Sequence, residues 1–162
     1  MASSVFIALG SNIGDRELQL LRAVAELGKL PQSKVTALSS FYDTEPVDTD
    51  TADEFVNAAL RLETNLTPAE LLRELQRIEH DVFKRRRSVT NAPRSMDLDI
   101  LLYDERIVAE EGLVIPHPRL HERRFVLVPL AEIAADTLHP QLGKSIGQLL
   151  RRCDDRHRVA KR

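Results

Sequence analysis

At 162 residues, 43% hydrophobic and 30% charged, the chain has the size and balance of one globular domain, not of a disordered or fibrous protein. A formal net charge of −2 excludes a protein that coats nucleic acid by bulk charge, so any basic patch must be local. The lone Cys153 fits a reducing compartment, and the opening residues lack a charged leader or an apolar run of membrane length. The expectation is a cytoplasmic protein with no membrane partner.

Residues 5–9 form a short apolar run that stops at Gly10-Ser11-Asn12, the pattern of a buried strand entering a turn. From Asp15 the period changes to that of a helix: Leu20, Val24 and Leu27 recur at helical spacing, with Leu21 beside them and Gly28 as the stop. Residues 35–45, β-branched and aromatic and closed by Pro46, predict one strand. Residues 55–63 predict another, with Val56, Ala58, Leu60 and Leu62 on one face and Phe55, Asn57, Ala59 and Arg61 on the other. The acidic stretch 46–54 between them reads as an exposed loop. Thr67-Pro68-Ala69-Glu70 carries a capping box with proline at the first helical position, followed by a stripe of Leu71, Leu75, Ile78 and Val82. A basic segment, 84–94, leads to a strand over 96–103. The last third holds Pro116 and Pro118, an apolar run at 125–133 and a short helix over 145–152. The order β-α-β-β-α-β predicts an α+β fold, a ferredoxin-like βαββαβ sheet with additional C-terminal strands and helices. The chain reads as a single domain, 1–162, with residues 153–162 expected to fray.

Met96-Asp97-Leu98-Asp99-Ile100 is the sharpest local feature. In a strand Asp97 and Asp99 project from one face and Leu98, Ile100 and Leu102 from the other. Paired carboxylates suit Mg²⁺, which takes one or two of them together with phosphate oxygens; an acidic edge strand would show the same two letters. Lys84, Arg85, Arg86, Arg87 and Arg94 lie just upstream. Cations beside metal-binding carboxylates make sense where a polyphosphate lies between them, although a solvated basic loop has the same composition. Phe55 and Asn57, two apart, offer a stacking ring and an edge-reading amide, with Phe125 as a second ring; both phenylalanines would also serve as ordinary core. Gln76 and Glu79 share a helix face with Leu72, and His117 sits between two prolines where it could donate to a phosphate. Gly10-Ser11-Asn12-Ile13-Gly14 matches neither a Walker loop nor a dinucleotide fingerprint.

Together these motifs resemble the 6-hydroxymethyl-7,8-dihydropterin pyrophosphokinases of folate biosynthesis. The resemblance runs from Val5 to about Leu150 and rests on residues 8–15, 40–46, 55–58, 93–100 and 115–119, followed by Arg123 and Phe125. It implies a kinase that transfers diphosphate from ATP to the pterin's hydroxymethyl group and releases AMP. Two Mg²⁺ would be held by Asp97 and Asp99. The pterin would lie between Phe55 and Phe125, with Asn57 on its edge and Thr44 and Val47 near its rim. Gln76, Glu79, Lys84, Arg86, Arg94, Ile100, His117 and Arg123 would bind ATP, and Arg86 and Arg94 would also act in catalysis with the two aspartates. Loops 46–54 and 84–92 would close over the substrates. Members commonly carry Trp-Gly where this chain has Asn91-Ala92, often Arg where it has Lys84, and in some cases Tyr where it has Pro118.

An RNA-binding ferredoxin-like module fits poorly, because the chain is 4% aromatic, lacks Trp and is net acidic. A pterin-binding relative without turnover would bind nucleotide and make no AMP. The expected partners are ATP and the hydroxymethyl-dihydropterin, with no nucleic acid, and the expected state is a monomer.

Overall fold

A computed structural model describes residues 2–47, 54–84 and 95–162. Its strands are β1 (Ser3–Ser11), β2 (Ser33–Leu38), β3 (Tyr42–Thr44), β4 (Phe55–Thr64), β5 (Asp97–Tyr103), β6 (Val108–Glu110), β7 (Leu113–Ile115) and β8 (Val159–Lys161). Its helices are α1 (Arg16–Gly28), α2 (Pro68–Arg77), α3 (Arg124–Ala134) and α4 (Ile146–Arg152). The main sheet runs β5–β1–β4–β3–β8 with β2 also on β4, every pair antiparallel. This is the ferredoxin-like order, with the first strand central and the last of the βαββαβ unit beside it. Helices cover both faces. α1 and α2 pack on Val5, Ile7, Leu9, Val56, Leu60 and Leu98, while α3 and α4 pack on Phe6, Ala59, Leu101 and Leu102.

The local signals that predicted the helices are the ones that cap them. The Asp15 carboxylate accepts from the Leu18 N–H (3.1 Å) and opens α1. Gly28 is the last helical residue, not a left-handed stop; Lys29 closes the turn with its N–H on the Glu26 and Leu27 carbonyls. In α2 the Thr67 hydroxyl accepts from Glu70 N–H (3.2 Å) and the Glu70 carboxylate accepts from Thr67 N–H (2.8 Å). Leu71, Leu75 and Ile78 are fully buried below it, each contributing about 2 kcal/mol of burial. The helix runs on as a π-helical turn, Ile78–Val82, closed by Phe83 N–H on the Ile78 carbonyl (3.3 Å).

Three expectations need correction. The strand expected over 35–45 is two strands, because Ser39 leaves the ladder: its hydroxyl accepts the Ala59 N–H (2.9 Å) while its own N–H goes to the Ala59 carbonyl (2.8 Å). Leu102 does not share a face with Leu98 and Ile100. Phe6 pairs with Leu102 and Ile7 with Ile100, so Leu101 is an extra, bulged residue and the alternation inverts after it. Residues 153–162 do not fray, since β8 pairs along β3 and Arg162 N–H reaches the Phe41 carbonyl (2.9 Å). Among the described residues no helix is long and apolar enough to cross a membrane.

Candidate active site

One row across the sheet builds the centre of the site. Asp97 on β5 faces Gly10 on β1, which faces Asn57 on β4, which faces Tyr42 on β3. The row lies on the α3 side, off that helix's N-terminal end. Gly10 is required there: a Cβ at this position would stand 2.5 Å from Asn57 Oδ1. Space left by the missing side chain lets the Asn57 amide lie over the strand. Its Nδ2 donates to Thr44 Oγ1 (2.6 Å), and both residues are nearly sealed from solvent. A buried amide with one fixed partner keeps its orientation before any ligand arrives.

Around this row is a cavity lined by Gly10, Thr44, Glu45, Val47, Phe55, Asn57, Leu101 and Phe125, with Asp97, Asp99, His117 and Arg123 at its charged end. All five residues expected to hold a pterin are therefore brought together. Phe55, at the start of β4, and Phe125, in the first turn of α3, are only half-buried, leaving ring surface to the cavity. The Arg123 guanidinium lies 5.6 Å from the Phe125 ring centroid. Pro129 has no N–H to give the Phe125 carbonyl one helical turn back, and it sits inside α3 facing the core.

A second cavity opens beyond β5. Its walls are mostly aliphatic, Leu72, Leu98, Ile100, Leu113 and Val114, with Gln76 supplying an amide. Asp99 and His117 line both cavities. His117 is held by its backbone N–H on the Leu101 carbonyl (3.0 Å), and its Nδ1 accepts the Arg119 N–H (3.2 Å). Burial pushes its pKa down to about 4, with Arg123 and Arg119 acting in the same direction and Asp97 opposing them. The ring is therefore neutral near pH 7. With Nδ1 accepting, the proton sits on Nε2, where it can be donated where the cavities meet.

Glu79 lines neither cavity. It is buried at 2% exposure and its Oε2 accepts the Leu98 N–H (2.7 Å), fastening the backbone between the two aspartates. Lys84 is exposed and also lines neither cavity. Of the residues expected to bind ATP, Gln76 and Ile100 line the second cavity, Arg123 the first and His117 both. Arg86 and Arg94 lie outside the described residues, as do Asp48, Asp50 and Asp53 of the acidic loop. Gly10, Glu45, Leu101 and Leu113 were not foreseen.

The residues fit magnesium by their chemistry. Asp97 and Asp99 are hard oxygen donors, and among the described residues no larger His, Cys, Asp or Glu cluster forms an all-protein cage. Two carboxylates with the remaining positions left to substrate oxygens and water is a magnesium arrangement.

Residues 6–135 match the family model of 7,8-dihydro-6-hydroxymethylpterin-pyrophosphokinase (HPPK). The chain belongs to the HPPK family. It is 48% identical over 133 residues to the 2-amino-4-hydroxy-6-hydroxymethyldihydropteridine pyrophosphokinase of Bacillus subtilis, spanning 82% of this chain and 79% of that protein. It is 40% identical over 158 residues to the enzyme of the same name from Haemophilus influenzae, spanning 98% and 97%. In fold it resembles the crystal structure of Plasmodium falciparum HPPK-DHPS, with a TM-score of 0.75 at 14% identity. That match covers 94% of this chain and 44% of that longer one. As a member of the HPPK family the protein is a pyrophosphokinase, a transferase of folate biosynthesis that uses ATP.

Proposed function

We propose that this protein transfers the β,γ-diphosphate of ATP to the hydroxyl of 6-hydroxymethyl-7,8-dihydropterin and releases AMP, by in-line attack on the β-phosphorus. The observation that carries this reading is the pair of cavities that share Asp99 and His117. One has stacking rings and a fixed amide for a flat polar heterocycle. The other has aliphatic walls for a nucleotide base. Acceptor and donor would then meet at the shared residues, as a displacement at phosphorus needs.

Phe55 and Phe125 would hold the pterin ring, while Asn57 and Thr44 would read its edge and Val47 its rim. Gln76 and Ile100 would contact the nucleotide, and His117 would donate from Nε2 to a phosphate oxygen. Arg123, with Arg86 and Arg94 from the basic segment, would balance charge on the migrating group. Lys84 would add a point charge at that segment's entry. Glu79 would act on ATP indirectly, by fixing the strand that carries Asp97 and Asp99. Those two carboxylates would hold two Mg²⁺, whose chemistry when bound is to neutralise phosphate charge and orient the polyphosphate. The protein would work as a single-domain monomer, and its single cysteine, the buried and free Cys153, fits a cytoplasmic setting.

The test is to incubate the protein with ATP, Mg²⁺ and the hydroxymethyl-dihydropterin and resolve the products. AMP and pterin diphosphate should form one for one. ADP formed in step with a pterin monophosphate would refute the assignment.

A further inference from the structure

The last ten residues lie outside the 6–135 match to the family model, and none of them lines the ring cavity. Yet they touch two of its walls, the start of α3 and the side where β3 leaves and β4 enters. Asp155 Oδ2 accepts the N–H of Arg124 (2.9 Å), the first residue of α3, between Arg123 and Phe125. The N-cap Arg123 has no side-chain acceptor to offer, so Asp155 supplies that carboxylate from elsewhere in the chain, at the positive end of the helix. β8 then pairs along β3, placing Val159 opposite Thr44, and Glu45 N–H donates to the Arg158 carbonyl (3.1 Å).

Arg158 makes the decisive connection. Its N–H donates to the Glu45 carboxylate and its guanidinium to the Glu54 carboxylate. Glu45 lies between Thr44 and Val47 in the cavity wall, and Glu54 precedes Phe55. Glu54 is held a second time, its carbonyl accepting from Arg16 Nη1 of α1 (2.6 Å). Resting on the placement of the pterin in the ring cavity, we infer that residues 155–162 are a strap that presets the pterin pocket, with Arg158 as a positioning residue. It ties Glu45 to Glu54 just beyond the Thr44–Phe55 ladder pair, so the exit of β3 and the entry of β4 stay together without ligand.

The physical gain is preorganisation: groups already in place lose less freedom when the ring binds. A wall spacing fixed by the strap acts on the ring and not on the aliphatic cavity beyond β5. The Arg158 and Glu54 side chains are 52% and 34% exposed, so solvent screens that ion pair and its single loss should be modest. Loss of the whole strap should cost more, because the Asp155 contact and the β8 ladder go with it.

The test is calorimetric titration of the folded chain with 6-hydroxymethylpterin and, separately, with a non-hydrolysable ATP analogue and Mg²⁺. Truncation after Asp154 should weaken pterin binding by roughly 10- to 100-fold and nucleotide binding by no more than about twofold. Should the truncated chain not fold, Arg158→Ala decides, with a pterin loss of roughly 3- to 10-fold and partial recovery in Arg158→Lys. Combining Arg158→Ala with Glu54→Ala should add little to either change alone. Equal losses for both ligands that follow the melting temperature would reduce the strap to general stabilisation and overturn the inference. So would an unchanged pterin affinity in Arg158→Ala. Phe55→Ala, measured alongside, separates the two levels: an unchanged pterin affinity there removes the ring-cavity assignment and the strap's role with it.

Discussion

The two cavities that meet at Asp99 and His117 are built on opposite plans. In the ring cavity Asn57 and Glu45 have partners before ligand binds, on Thr44 and Arg158, and Glu54 beside Phe55 also reaches Arg158. Behind it, Tyr42 donates to Glu132 on α3 (2.5 Å), and Ser40 donates to the same carboxylate through both its N–H (2.9 Å) and its hydroxyl (3.0 Å). Burial and the Glu132 charge push the Tyr42 phenol up to about 12, so this link stays protonated across the physiological range. The second cavity has aliphatic walls and one amide, Gln76. A site with fixed polar groups rejects an analogue that lacks their partner by roughly 10⁴-fold, whereas an apolar slot separates near-isosteres by about 10- to 200-fold. One region is therefore built for discrimination and the other for affinity by burial. Changes to the ring analogue should matter far more than equally small changes to the base.

The largest test of this contrast falls on the shared strand. Asp99→Ala should lower kcat by about 10³-fold or more, because it removes a carboxylate that lines both cavities. Turnover within tenfold of the parent at millimolar Mg²⁺ would refute the metal role. Gly10→Ala comes next and acts on one cavity alone. The new Cβ collides with Asn57 Oδ1, so pterin affinity should fall by roughly 10²-fold while nucleotide affinity stays near that of the parent. Equal losses would show that the collision had spread through the sheet.

Leu113→Ala is the counterpart in the other cavity. Its expected cost is about 1–2 kcal/mol in nucleotide binding, with the pterin isotherm unchanged. A pterin loss as large as the nucleotide loss would break the separation. The smallest effect concerns protonation. In metal-free protein the His117 ring should titrate near 4 by NMR, well below the ordinary 6.5. As its folded pKa is depressed, the stability it contributes is present above 6.5 and is lost as pH falls through about 4. A midpoint near 6.5 would show that the ring is not buried as described.

Much of the fold and site was legible because the signals are local. Asp97 and Asp99 share a face by the period of a strand, and the Thr67–Glu70 box announces α2 within four residues. What escaped depends on distant partners. The bulge at Leu101 exists only in the pairing with β1, so alternation along β5 could not reveal that Leu102 crosses to the α3 side. Gly10 reads as a turn glycine until Asn57, 47 positions on, is laid over it. β8 is three residues long and takes its order from β3, more than 110 positions earlier. Glu79 has the look of a solvated helix residue, and only the approach of β5 turns its carboxylate inward to Leu98.

The most direct measurement is a crystal structure of the protein with 6-hydroxymethylpterin, a non-hydrolysable ATP analogue and Mg²⁺. The pterin should lie between Phe55 and Phe125 with its edge on Asn57, and the adenine against Leu72, Ile100 and Leu113. Metal density should lie on Asp97 and Asp99 between the two ligands. A pterin in the aliphatic cavity, or phosphates directed away from Asp99 and His117, would contradict it.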